Sequence, residues 1–294
     1  MATAMEKLVV QGLGRRDTPG KANPHSSFAS PLTSPFRRRR RRFQLRASSL
    51  VLPLLPFPID QVLIPSEVKS LHLYEARYIA LLEESLFKKN KLFVHFVLDP
   101  IGLGGTSIEA SFAARYGCLV TIEKVEKLEI GALVLIRGVG RVKLLEFKKA
   151  QPYLTGEVTP MQDNVPLNMI EINSEVLKLK EVLHNLKRLE IKLKTPGETL
   201  LQTQITNSLV WTEKQITLDC IKDFVPSVAE RVSFAALQPV SGSTQSELAK
   251  LQKEKLAAME TTDTLQRLEK TAQLARDNIS MLAAKLAIQS LERQ

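Results

Sequence analysis

The chain is poor in the features that usually announce a chemistry. It has only two cysteines, Cys118 and Cys220, and neither sits in a CxxC or Cys/His spacing, so a zinc site or disulfide framework has no basis. Both are expected as reduced, buried thiols. The four histidines, His25, His72, His95 and His184, are scattered. His95 falls in the middle of an apolar strand pattern and reads as a core or cap residue. No Ser/His/Asp or Cys/His pairing is suggested by position. No Gly-x-x-x-x-Gly-Lys-Ser/Thr occurs anywhere, which removes a P-loop nucleotide site. Asp and Glu are plentiful but read as solvated helix faces rather than an acid/base pair. No run approaches the roughly 18 apolar residues of a membrane span.

Charge is unevenly placed. The net charge is +10 and the pI about 9.6. Residues 1–46 carry eleven Lys and Arg, including the run Arg37 to Arg42, against Glu6 and Asp17 alone, a net of +9. Everything after Arg46 is therefore close to neutral, which argues against a nucleic-acid partner. The first 46 residues are rich in Ser, Pro and Arg, lack hydrophobic periodicity and begin Met-Ala. That is the composition of an organelle transit peptide, with the chloroplast stroma as the expected destination and the mitochondrion as the runner-up. A nuclear-localisation or nucleic-acid patch at Arg37 to Arg42 is the competing reading.

Over the whole chain, 44% apolar residues are enough for a proper core. The segment Leu54-Leu-Pro-Phe-Pro-Ile-Asp-Gln-Val-Leu-Ile-Pro65 cannot be helical, since three of its first twelve positions are proline. It predicts a strand, a turn and the entry to a second strand over Glu67 to Leu73. Tyr74 to Leu86 then predicts a helix, with Ile79, Leu82 and Leu86 on one face. Lys91 to Leu98 predicts a strand covered on both faces. Asp99 to Arg115, with Gly102-Leu-Gly-Gly105, is expected as a surface loop rather than a phosphate loop. Tyr116 to Val125 predicts a strand. Ala132 to Phe147 predicts two strands meeting at Gly138-Val-Gly-Arg141, because glycines in a strand pattern mark a bulge or corner. Tyr153 to Pro160 closes the set.

Helical spacing governs the second half. Val176, Leu177, Leu179, Leu183, Leu186 and Leu189 mark a helix over Ile170 to Leu193, broken by Pro196-Gly197. Leu200, Leu201, Ile205, Leu209 and the single Trp211 mark the next, and Asp223 to Val232 begins a short one. After a linker or turn over Pro239 to Thr244, Gln245 to Met259 reads as helical. In the last helix Leu265, Leu268, Ala272, Ala275, Ile279, Leu282 and Leu286 recur in steps of three and four, an a/d seam. The seam either packs on this chain's own bundle or docks a partner helix.

The Leu-Pro-rich first strand and the Leu71-His-Leu-Tyr-Glu-Ala-Arg-Tyr78 turn into the helix resemble the N-terminal domain of the Lon protease family. The Gly-Ala-Leu-Val-Leu-Ile strand from Gly131 and the Gly138-Val-Gly-Arg141 element resemble it too. The resemblance covers roughly Leu52 to Leu291 and is strongest over Leu54 to Pro160. It implies an α+β fold, with a PUA-like pseudo-β-barrel of about six strands and one packed helix, then a helical bundle ending in a long helix. The expected organisation is a leader over 1–46, the barrel over 51–162, a helical bundle over 168–238 and the long C-terminal helices over 245–294.

The resemblance also implies a non-catalytic module that binds unfolded or client polypeptides, since the ATPase and Ser-Lys protease parts of Lon are not present in the sequence. It would act as an adaptor or client-binding factor in organelle protein quality control, without cofactor or metal, in partnership with a separate protease or chaperone. An accessory subunit of an ATP-dependent protease and an RNA-binding PUA-like module are the alternatives. Tyr74, Arg77, Tyr78, Arg137 and Arg141 are the candidate peptide or partner surface. The competing reading packs the tyrosines in the core and pairs the arginines with nearby acids.

Overall fold

The computed structural model describes residues 48–101, 111–165, 168–193, 199–216 and 219–291. The expected leader, the glycines at 102–105 and the Pro196-Gly197 helix break lie outside them. Residues Ala47–Gln294 form one compact unit, so the boundaries expected near 162–168 and 238–245 fall inside it.

Six strands build the first half: β1 (Leu50–Phe57), β2 (Val68–Leu73), β3 (Leu92–Ile101), β4 (Ser111–Lys127), β5 (Ala132–Lys149) and β6 (Thr155–Pro160). They are ordered β2-β5-β4-β3-β1-β6, and β6 also pairs with β5, which closes five strands into a barrel with β2 appended. Helix α1 (Ala76–Lys88) packs on it through Leu81 and Leu82, which join Leu55, Phe93, Val120 and Ile136 in one core. The expected barrel with one packed helix is thus present. β1 serves two partners, β6 through Leu50 to Pro53 and β3, in parallel, through Leu54 to Phe57. Its prolines fit this division, since each strand half needs a full ladder on only part of its length. Leu92 to Val97 are buried at every position, as a strand covered on both faces must be.

Two expectations about strands are corrected. Ala132 to Phe147 is one long bent strand, not two, because β5 changes partners along its length: β2 pairs with its first half and β6 with its second. The span Asp99 to Arg115 is also not all loop, since β3 runs to Ile101 and β4 starts at Ser111, paired through Ile101 and Ser111.

The glycines of β5 mark a crossing. The β4–β5 register shifts between Leu119 and Val120, opposite Gly138 and Gly140. A Cβ on Gly138 would meet the Ile64 carbonyl oxygen at 2.2 Å, and one on Gly140 the Phe224 carbonyl oxygen at 2.1 Å. Only glycine lets both segments run this close to the strand.

The second half holds α2 (Met169–Leu193), α3 (Thr199–Glu213), α4 (Val228–Ala235), α5 (Gln245–Glu260) and α6 (Thr264–Leu291). Helix α5 opens on a capping box, Thr244 with Glu247, and α4 on Ser227, whose hydroxyl accepts from the Glu230 amide. Helices α2 and α6 run side by side in the same direction. Asn164, before α2, donates to the Thr262 carbonyl before α6, and Leu193 and Lys285 both reach Gly242 at the far end. Helix α4 joins the halves. Val232 and Ala235 belong to the α2–α6 core, while Phe234 packs with Ile64, Val97 and Cys118 of the barrel.

Candidate functional site

The five residues expected to frame a peptide surface separate into two groups. Arg137 and Arg141 are not at the surface, being 8% and 1% exposed, so their expected place on a binding face is corrected. Arg141 reaches from the bent strand into a buried charge cluster. Its Nη2 donates to Asp163 and, at 2.9 Å, to Glu230, while Nη1 donates to the carbonyls of Met259 (3.1 Å) and Thr261 (2.7 Å). Arg267, also 1% exposed, grips Asp163 through both terminal nitrogens, the Thr261 carbonyl at 2.6 Å and the Ser233 hydroxyl at 2.7 Å. Both guanidinium groups lie against the Phe234 ring, 5.6 and 4.5 Å from its centre.

Charges this deep persist only when paired and hydrogen-bonded. Burial opposes ionisation of Asp163, but the hydrogen bonds and charge of Arg267, with Arg141 behind them, outweigh it and hold the carboxyl below its ordinary value. Glu230 goes the other way: burial first, then the charge of Asp163, push its carboxyl above the usual range despite both arginines. The cluster ties β5, the segment after β6, α4 and the α5–α6 turn together. It is structural.

Arg137 does a similar service nearby. It pairs with Glu123, donates to the Ser66 carbonyl at 3.1 Å, and faces the Trp211 ring, whose other neighbour is Arg231 at 5.5 Å. Lys255 closes the set with a 2.6 Å ion pair to Glu67.

The remaining three stand around the start of α1. Tyr74 is 62% exposed and its ring leans on His72, centroids 5.5 Å apart. Arg77 pairs with Glu75 at 2.6 Å and lies over the Tyr78 ring at 4.8 Å. Tyr78 packs half-buried against the barrel core, and burial raises its phenol above the ordinary value. This end of α1 offers one exposed aromatic and a half-exposed arginine already in an ion pair.

A more concave surface lies at the other end of the same helix, where the sequence reading did not look. Between α1, the start of β1 and the β5–β6 connection runs an open groove of about 590 Å³. Phe87, 83% exposed, and Val51, 44% exposed, stand on its walls, with Tyr153 and Leu52 at its base. The Tyr153 hydroxyl donates to Glu84, tying helix to turn. Burial, then Glu84, push that phenol up to about 12. Lys88, Lys89, Lys148 and Lys149 line the rim with Glu83 and Glu84. One signal was available in the sequence. Phe87 lies off the Ile79, Leu82 and Leu86 stripe and is followed at once by two lysines, an aromatic with no core to enter.

The α6 seam is internal. Leu268, Ala272, Ala275 and Leu282 are buried against Leu179, Leu183, Leu186 and Leu193 of α2, with Leu265, Ile279 and Leu286 partly buried beside them. The two alanines suit this, because small residues let a leucine-rich neighbour approach closely. The alternative of a partner-docking seam is therefore corrected.

His95 is buried, as expected of a core residue, and stacks on Phe57 with ring centres 4.0 Å apart. Its Nε2 has no hydrogen-bond partner among the described residues. Those residues also hold no cluster of three or more His, Cys, Asp or Glu able to bind a metal, and no helix long and apolar enough to cross a membrane.

The fold and its groove define an α+β barrel-and-bundle protein that presents an open, partly apolar concavity beside its first helix. Residues 51–277 match the family model of the ATP-dependent protease La (Lon) substrate-binding domain, and the chain belongs to that family. The match is to the substrate-binding domain of Lon, not to its ATPase or protease parts. Among solved structures, the chain is similar to a Lon N-terminal domain protein from Xanthomonas campestris, with 19% identity and a TM-score of 0.39 over 75% of this chain and 96% of that one. It is also similar to the N-terminal domain of a Mycobacterium avium complex Lon protease, with 15% identity and a TM-score of 0.39 over 79% and 98%. No curated protein sequence matches significantly.

Proposed function

We propose that this protein is a non-catalytic polypeptide-binding module that captures unfolded segments as an adaptor in organelle protein quality control. The observation that carries the reading is the match of residues 51–277 to a substrate-binding domain. The groove beside α1 supplies a surface suited to it, because Phe87 keeps a large apolar side chain in water where a client segment can cover it. The Arg-rich, acid-poor stretch over 1–46 supports import into the chloroplast stroma, with a separate protease or chaperone as the partner that acts on the captured client.

The test is binding of a permanently unfolded polypeptide, such as reduced and carboxymethylated α-lactalbumin, to the purified protein by fluorescence anisotropy. Binding is expected, with Phe87→Ser weakening it about fivefold or more at an unchanged melting temperature, as loss of an interface aromatic anchor does. Native lactalbumin should not bind, and casein should not be cleaved. Equal binding by the Phe87→Ser protein would remove the groove from the reading, and no binding of any unfolded chain would remove the reading itself.

A further inference from the structure

We propose that the groove beside α1 selects extended polypeptide segments in which an apolar side chain is flanked by acidic residues. This rests on the polypeptide-binding reading above and adds a substrate class to it. The apolar part of the preference comes from Phe87 and Val51 on the walls and Leu52 and Tyr153 at the base, with room for a few side chains in about 590 Å³.

The acidic part comes from an imbalance at the rim. Lys148 is already engaged, at 2.6 Å from Glu146 and 3.0 Å from Glu157. Glu84 is engaged by the Tyr153 hydroxyl. Lys88, Lys89 and Lys149 have no ion-pair partner among the described residues, and Glu83 is the one remaining acid lining the groove. The end of a helix favours cations, which accounts for Lys88 and Lys89 in part. It does not account for Lys149, which comes from the end of β5 and faces the same groove from the opposite side. Cations arriving from two elements onto one apolar concavity complement a ligand that is apolar in the middle and negative at its ends. A nucleic acid would also meet the lysines, but the aliphatic surfaces of Val51 and Leu52 suit a side chain rather than a sugar-phosphate backbone.

Three fluorescent decapeptides decide it, each with a central Phe-Leu pair flanked by Glu, Gln or Lys. They would be titrated by anisotropy against the full protein and against the triple variant Lys88→Glu, Lys89→Glu, Lys149→Glu, with oligouridylate as a competitor. The Glu-flanked peptide should bind about tenfold tighter than the Lys-flanked one, with the difference shrinking at high salt and reversing in the triple variant. The triple variant should stay folded with a melting temperature only a few degrees lower, since two of its glutamates stand at a helix C-terminus that favours cations. Equal affinity for all three peptides would overturn the acidic preference while leaving polypeptide binding intact. A preference that survives in the triple variant would overturn the assignment to this groove. Tight oligouridylate binding with no peptide binding would replace the polypeptide by a phosphate backbone.

Discussion

Replacing Arg141 by Met keeps most of the buried stem and removes the guanidinium from the middle of the molecule. Asp163 and the Thr261 carbonyl keep Arg267 as a partner, so the groups orphaned are the Glu230 carboxylate and the Met259 carbonyl. Removing one partner of a buried ion pair costs about 3–5 kcal/mol. Glu230 has an escape, which is to take a proton. From an ordinary value of 4.5, protonation at pH 7 costs about 3.4 kcal/mol, which places the loss at the lower end of that range.

The sign with pH follows. Glu230 is already shifted upward in the folded protein, and losing Arg141 moves it further. A raised carboxyl stabilises the fold relatively more at low pH, and that relative advantage is lost as pH rises above 4.5. The Arg141→Met penalty should therefore shrink as the pH falls from 7 to 5.5, by at most about 2 kcal/mol. At pH 7 the melting temperature should fall by about 6–16 °C, taking 2–4 °C per kcal/mol for a unit of this size. Adding Glu230→Gln should restore part of the loss at pH 7 and almost none at pH 5. Urea melts of the four proteins of the cycle at three pH values measure all of this. A loss under about 1 kcal/mol, or one that does not change with pH, would refute the buried-cluster argument.

Three further outcomes are expected. Burial, then Lys69, hold the His95 imidazole well below its ordinary value of 6.5, so its contribution to stability is full above that pH and declines below it; melting curves from pH 7.5 to 5 should show this slope in the native protein and not in His95→Phe. Gly140→Ala puts a methyl about 2 Å from the Phe224 carbonyl oxygen, and the urea midpoint should drop by the equivalent of about 1–3 kcal/mol or more. Leu268→Ala should cost about 2–5 kcal/mol, and a chain ending at Thr262 should lose its circular-dichroism melting transition rather than only a binding activity, since Arg267 and the inner face of α6 go with it.

What could be read from the chain in advance was what neighbours in sequence decide. The three–four spacing of Leu265 to Leu286 requires a helix with one apolar face, and the prolines between Pro53 and Pro65 require strands and turns. Both stand in the structure. Whether the α6 face would be covered from within depended on Leu179, Leu183 and Leu186 arriving alongside it, and those leucines supply the bulk that Ala272 and Ala275 lack. Arg141 was misplaced for the same reason. Its carboxylate partners are 22 and 89 residues away, and nothing beside a lone arginine after a glycine corner tells a buried hub from an exposed contact. Ala132 to Phe147 looked like two strands because partner exchange along one strand leaves the same glycine signature as a turn. Phe87 was overlooked because exposure is fixed by what fails to pack against a residue, and periodicity lists only what does.

The reach of the Arg141 cluster bears on the order in which the molecule becomes stable. Strand β1 waits for β6, about a hundred residues later, and Arg141 waits for Glu230 and then for Arg267 to share Asp163. Pairings so distant along the chain are slow, since the ends of long loops must meet before the contacts reward them. A chain emerging from a ribosome or a translocation pore with its N-terminus first therefore has an unfinished barrel until β6 is clear, and a buried-to-be charge still in water until the first turn of the last helix follows. Until then it remains threadable and exposed, in the same condition as the segments it is proposed to capture.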